Sequence, residues 1–233
     1  MARSSPLPRI HALAQDQWGL VTRRQLRDAG LGATTLERLT TPGGALERVA
    51  RGVYQVAGAP VPDHRELRAA WLQLAPEIPA WERTAGQGIV SHRSAASVFG
   101  LGHLPADQHE FTVARRHQTR RPDVRIHMLR VRDREWVSVG GLPVTRPSRI
   151  AADLLGERED PEAIAQVITE AIRRTRDYPG TFADTLAPHA ASYGFRRDDG
   201  LALLRWLLDL AGDPERHRWT EEARRDEAQE ARV

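Results

Sequence analysis

The sequence predicts an α+β fold: a small helical unit closed by a two-stranded hairpin, then a mixed α/β domain with a helical C-terminal portion. Three observations carry the prediction. Helical spacing of apolar residues dominates residues 10–41 and everything beyond 147. Short runs rich in β-branched residues fall at 46–56 and again between 89 and 145. Glycine and proline clusters punctuate the joins.

At the front, Ile10, Leu13, Ala14 and Trp18 recur at helical spacing, and Gly19 stops that helix. Thr22 is placed as the N-cap of a short second helix, Thr22 to Ala29, because its hydroxyl can accept from the first free amides. Gly30-Leu31-Gly32 makes a tight turn into a third helix over residues 33–41, with Leu36 and Leu39 facing inward. Leu46–Ala50 and Val53–Val56 read as strands, joined by Arg51-Gly52, where glycine supplies the freedom a hairpin turn needs. Three helices followed by such a hairpin form a winged helix-turn-helix.

Gly58 to Pro62 reads as a linker, and Asp63 as the cap of a helix containing Leu67, Ala70, Trp71 and Leu74. An α/β stretch follows: Ile89-Val90, a helix from Ser91 to Phe99, then strands at Glu110–Ala114, Val124–Leu129 and Trp136–Val139. Gly140 to Val144 leads to a helix opening at Pro147-Ser148. Helices continue over Pro161–Arg174, Thr181–Ala191 and Asp198–Leu210, and the charged tail from Pro214 frays or extends as a solvated helix. The domain organisation predicted is 1–60, 61–213 and a tail at 214–233.

Composition narrows the function classes. Apolar residues are 40% of the chain and charged residues 28%, the balance of a globular protein rather than a disordered one. There is no cysteine, which excludes disulfides, thiolate metal centres, iron–sulfur clusters and thiol nucleophiles. All 34 residues counted as lysine or arginine are arginine, so lysine-dependent mechanisms are excluded as well. Charge is uneven: residues 1–147 carry a net +8 and residues 148–233 a net −5. That split points to a polyanion partner at the front, although ordinary solvated surface accounts for it about as well. Met1 to Ile10 has no apolar stretch of the signal-peptide kind, and Leu201–Leu210, interrupted by Arg205, is too short to span a bilayer. A cytoplasmic protein with no membrane association is expected.

The helix-turn-helix chemistry is concrete. Its second helix must offer short polar or arginine side chains to the major groove, with aliphatics on the opposite face. Thr34, Thr35 and Arg38 lie on the outward side of residues 33–41, while Leu26, Ala29, Leu31, Leu36 and Leu39 form the inner set. Arginine pairs bidentately with guanine, and threonine meets a thymine methyl or a phosphate. Arg23, Arg24 and Arg27 stand where phosphate contacts fix register. Arg48 and Arg51 lie on the hairpin, positioned for a neighbouring minor groove, with Tyr54 at its base. Glu37 and Glu47 must turn away or pair with arginines. The competing reading is a helical domain whose basic face docks protein. Arg115, Arg116, Arg120 and Arg121, the densest basic run, extend the DNA footprint, meet an acidic partner or are simply solvated.

These residues resemble a known family. The turn Gly30-Leu31-Gly32, then Leu36-Glu37-Arg38-Leu39 and Leu46 to Tyr54, is similar to the N-terminal domain of the AbiEi antitoxins of type IV toxin–antitoxin systems. Ile89 to Ala96 and Gly141 to Arg149 resemble a second block of AbiEi-like proteins, so the likeness runs from about residue 10 to 155. Two features depart from the pattern: Thr40 to Ala45 is longer than the family's connection to the hairpin, and the helix after Pro147 has unfamiliar residues. The resemblance implies a repressor that binds inverted repeats in its own promoter, as a homo-oligomer on DNA, and whose C-terminal domain counters a nucleotidyltransferase-like toxin.

Other classes stay in competition. One is a stand-alone winged-helix regulator whose second domain dimerises or binds a ligand; another is an enzyme acting on nucleic acid or modifying a toxin. No catalytic residues, metal ligands or cofactors are expected. Asp153, Glu157, Glu159, Asp160 and Glu162 form an acidic cluster, but the lysine that metal-dependent nucleases add to such carboxylates is missing. The cluster reads instead as a helix N-terminus complementing the macrodipole. His103, His109, His117 and His127 do not fall at metal-ligand spacings, and His92 reads as part of a helix start capped by Ser91. Leu201 to Leu210 is read as core, with a docking helix as the alternative.

Overall fold

The computed structural model describes residues 7–115 and 117–230. The fold is mixed α and β, with two sheets, and divides into two compact units. Unit 1 is Met1–Gly88 with the short returns Val113–His117 and Gly140–Leu142; unit 2 is Ile89–Thr112, Gln118–Val139 and Pro143–Val233.

Unit 1 runs α1 (Leu7–Gln15), β1 (Leu20–Thr22), α2 (Arg23–Asp28), α3 (Ala33–Leu39), β2 (Leu46–Ala50), β3 (Val53–Val56) and α4 (Arg65–Leu74). Its strands form an antiparallel sheet in the order β1-β3-β2, with Tyr54 opposite Val21 on one side and Arg48 on the other. This order is consistent with a winged helix-turn-helix. Its core gathers Ile10, Ala14, Val21, Leu26, Leu31, Leu36, Leu46, Tyr54 and Val56, one or two side chains from each element from α1 to β3 and one from the turn before α3. Thr22 caps α2 as its sequence position predicts: its Oγ1 accepts from the Gln25 amide at 3.1 Å, and Gln25 Oε1 accepts from the Thr22 amide at 2.9 Å. Gly52 turns the hairpin at φ +75°, a region that costs a residue with a Cβ.

The structure moves the predicted boundary. Residues 58–62 do not end the first unit, because α4 packs on the sheet of unit 1 and the unit runs on to Gly88. The physical reason is Trp71. It is buried, donates from Nε1 to the Gly88 carbonyl at 2.7 Å and meets Trp18 edge-on at 5.9 Å. Arg83 then seals the end of α4. Its guanidinium donates to the carbonyls of Trp71, Leu72, Ala75 and Ile78 at 2.6–3.1 Å and lies 4.3 Å from the Trp71 ring centre. Burial lowers the guanidinium to about 10, against the pull of Glu77. Asp63 does not cap α4; the N-cap is His64, which makes no side-chain cap bond.

Unit 2 is built on a five-stranded sheet in the order β6-β5-β4-β8-β7, from β4 (Ile89–Val90), β5 (His109–Val113), β6 (Val124–Met128), β7 (Trp136–Val139) and β8 (Leu142–Thr145). The central β4 is antiparallel to β5 and parallel to β8. After α5 (His92–Phe99) come α6 (Pro147–Gly156), α7 (Pro161–Arg173), α8 (Pro179–Leu186), α9 (Gly200–Leu210) and α10 (Arg216–Glu230). A Cβ on Gly200 would lie 1.9 Å from the Ala183 carbonyl, so α8 and α9 cross where only glycine fits. In the apolar run, Leu203, Leu204, Leu207 and Leu208 are fully buried, so core packing accounts for it. The charged tail is not a loose solvated helix: α10 packs on α8 and α9 and buries Trp219, Thr220 and Ala223. Among the described residues no helix is long and apolar enough to cross a membrane.

Candidate functional site

In unit 1 the predicted basic residues converge. Arg23, Arg24 and Arg27 from α2 and Arg48 and Arg51 from the hairpin line one groove of about 540 Å³, with Ala33 and Leu36 of α3, Tyr54, Gln73 and Pro76 completing its walls. The capping box sets the direction of α2, so Leu26 goes into the core while the arginines on either side stay exposed. Asp28 pairs with Arg24 at 3.1 Å and with Arg27 at 3.8 Å. Arg23, Arg48 and Arg51 have no ion-pair partner among the described residues. Arginines without an ion-pair partner among the described residues give the groove the positive potential that a polyanion favours.

On α3, Leu36 is buried; Thr34 and Arg38, four residues apart, are both exposed on the outer side, outside the arginine groove, and Thr35 is half-buried. Thr40 and Thr41 close the helix by donating to the carbonyls of Leu36, Glu37 and Arg38 at 2.9–3.0 Å. The helix therefore ends at Leu39, two residues earlier than predicted. Tyr54 is 8% exposed and belongs to the core, so it offers the groove a wall rather than a free contact. Glu47 pairs with Arg65 at 3.2 Å, which removes one of the two awkward carboxylates; Glu37 stays exposed on α3. Gln73 is a groove residue that the sequence did not single out. It donates to the Gly52 carbonyl at 3.0 Å, a link that exists only because α4 packs in this unit.

The basic run at 115–121 is divided between the two units. Arg115 is exposed and falls in unit 1; Arg120 is exposed and falls in unit 2. Arg121 is held by Asp123 through bonds of 3.0 and 2.5 Å. Arg116 lies outside the described residues.

Unit 2 holds a second constellation that spacing rules do not reveal. His92 and His127 stack with ring centres 3.5 Å apart and planes 12° from parallel. Glu157 Oε1 lies 3.5 Å from His127 Nδ1, and Glu110 Oε1 lies 3.3 Å from His127 Nε2. Ser91 takes the N-cap position of α5 as predicted, but its side chain makes no cap bond; its Oγ meets His92 Nδ1 at 2.9 Å and accepts from Thr112 Oγ1 at 2.9 Å. His92 takes φ +52°, a strained value for a histidine at a helix start. Burial, then the neighbouring His127, pushes the His92 imidazole down to about 3, so it stays neutral near pH 7. Burial works against ionisation of Glu110, but hydrogen bonds from His127 and the Arg93 amide hold its carboxyl below the usual range. Most of the predicted acidic cluster is consumed by arginines: Glu159 by Arg93, Glu157 by Arg125 and Asp153 by Arg149. The sequence signal for this side of the cavity was the spacing Arg149, Asp153, Glu157, one residue per helical turn.

Comparison with known families gives one finding. Residues 8–57 match the family model described as a transcriptional regulator, AbiEi antitoxin. The match covers α1 through β3 and the arginines that line the groove, and it stops before α4. No curated protein matches the chain.

Proposed function

We propose that this chain is a DNA-binding antitoxin that represses its own operon and neutralises a nucleotidyltransferase-like toxin, without enzymatic activity of its own. The observation that supports it most is the groove of five arginines within the segment similar to AbiEi regulators. We read unit 1 as a winged helix-turn-helix. Its α3 lies in the major groove with Thr34, Thr35 and Arg38 toward base edges, the arginines of α2 grip phosphate, and Arg48 and Arg51 reach the flanking backbone or minor groove. Inverted repeats upstream of its own gene are the expected operator, bound by a homo-oligomer. Arg115, exposed in the same unit, joins that footprint in this reading. The rest of the chain carries toxin neutralisation.

The test is a gel shift on the upstream duplex over a salt series, with scrambled duplex as the competitor. Preferential binding that weakens steeply with salt supports the reading. Equal, salt-insensitive binding to both duplexes would refute it. Neutralisation is tested by co-expressing the full chain with the adjacent toxin gene; growth arrest that the chain does not relieve leaves a regulator and removes the antitoxin. One observation favours a second reading, a regulator whose second unit binds a ligand: unit 2 contains a cavity of about 490 Å³ lined by His92, His127, Arg149, Asp153, Glu157 and His189 among others.

A further inference from the structure

The stacked histidines of unit 2 sit in that cavity with their outer nitrogens already spoken for. We propose that His92, His127 and Glu157 bind a divalent transition-metal ion of the zinc type, with Ser91 and Glu110 orienting the two imidazoles from behind. Each residue offers one ligand atom, and the three atoms lie within 4.8 Å of one another. Ligands on one tetrahedral ion stand about 3.4 Å apart, given metal–ligand lengths near 2.1 Å. The His127–Glu157 pair is already at 3.5 Å. Closing the set asks the two rings to splay out of their stack, a rotation about the side-chain bonds.

Hydrogen bonds hold one nitrogen of each ring. His92 Nδ1 meets Ser91 Oγ at 2.9 Å, and the tautomer with its proton on Nδ1 leaves the Nε2 lone pair for a ligand. His127 Nε2 donates to Glu110 Oε1, which turns its Nδ1 lone pair toward the carboxylate of Glu157. Two acceptors facing each other at that separation repel unless a cation lies between them. A carboxylate or hydroxyl behind each ligating imidazole is the usual support of a protein metal site. Arg125, half exposed, holds both oxygens of Glu157 through Nη2, at 2.8 Å from Oε1 and 2.6 Å from Oε2, so the ion takes Oε1 only as that exposed guanidinium gives up one of its two bonds. Asp153 supplies an independent sign of a ligand. Its side chain lines the same cavity and is 4% exposed, and its Oδ2 is buried with no hydrogen-bond partner among the described residues. A water on the ion is the donor that this atom lacks. Two imidazoles and one carboxylate select a borderline metal such as Zn²⁺, Co²⁺ or Ni²⁺ over Mg²⁺ or Ca²⁺, which take oxygen donors.

The experiment uses the full chain, stripped with a chelator and dialysed, titrated with ZnCl₂ by calorimetry and with CoCl₂ by visible absorption. One ion per chain, with Co²⁺ ligand-field bands, is the expected result. His92→Ala and Glu157→Gln should each weaken Zn²⁺ binding, and Glu110→Gln should weaken it by about 10- to 100-fold while retaining the wild-type circular dichroism. Glu157 is partly exposed, so its conservative replacement leaves the fold intact and keeps the test decisive if the His92 variant unfolds. His103→Ala, exposed and elsewhere, should bind as wild type. Failure of the wild-type chain to bind Zn²⁺ or Co²⁺ stoichiometrically overturns the proposal. So does binding that Glu157→Gln leaves unchanged. Neither result bears on DNA binding by unit 1.

Discussion

Removing three arginines from the groove should flatten the salt dependence of DNA binding by a calculable amount. Arg23, Arg24, Arg27, Arg48 and Arg51 are all exposed. If each covers one phosphate, log K falls against log salt with a slope of about −4.5 per chain, at about 0.9 per contact. Between about 50 and 200 mM salt that slope costs roughly 500-fold in affinity. The triple variant Arg23→Ala, Arg48→Ala, Arg51→Ala leaves two such contacts, a slope of about −1.8 and a loss of roughly 12-fold over the same range. Fluorescence anisotropy on a labelled upstream duplex measures both slopes. Circular dichroism controls for folding, which exposed side chains should not disturb. A wild-type slope near zero, or a triple variant with the wild-type slope, would show that these arginines do not meet phosphate.

Four further outcomes follow from particular contacts. Arg38→Ala should cost about 1–3 kcal/mol on the operator and less on random duplex, blurring the preference measured by competition. Asp28→Asn releases Arg24 and Arg27 from exposed ion pairs worth little to stability, so affinity at low salt should rise while the melting temperature stays put. Arg83→Ala strips four carbonyls of their charged donor; a loss of about 3 kcal/mol, or roughly 6–12 °C in melting temperature, is expected by calorimetry. Trp219→Ala should cost about 3–5 kcal/mol, and a change within error would mean that α10 is not packed as described.

The parts of the fold that were legible are those set by neighbours in sequence. Thr22 and Gln25 stand three apart and cap each other, and Arg51-Gly52 turns a hairpin, because both depend on local hydrogen bonds and backbone freedom. The placement of α4 was not legible: the sequence shows a proline-rich stretch at 58–62 but not where Trp71 will find its hydrogen-bond acceptor, seventeen residues on. The tail misled for a similar reason. More than half of its residues are charged, yet one tryptophan, one threonine and one alanine bury its inner side. In the basic groove, the arginines were named from the sequence, but their division into paired and unpaired was decided by Asp28, one residue beyond Arg27. The histidine cluster needed the sheet: His92, His127 and Glu157 come from α5, β6 and the end of α6, and no linear spacing encodes that meeting.

The hairpin tip is fastened from two sides. The Gly52 carbonyl accepts from the Arg23 amide at 2.8 Å and from Gln73 at 3.0 Å, and Arg51 stands beside it. If unit 1 binds DNA as proposed, a tip so pinned gives up little conformational freedom when a rail of phosphates arrives, and affinity is spared the entropy that a floppy wing would lose on docking. Association should then proceed as a rigid-body encounter whose speed answers to long-range charge rather than to loop rearrangement. Cutting the Gln73 tether should leave the encounter rate alone and shorten the lifetime of the complex.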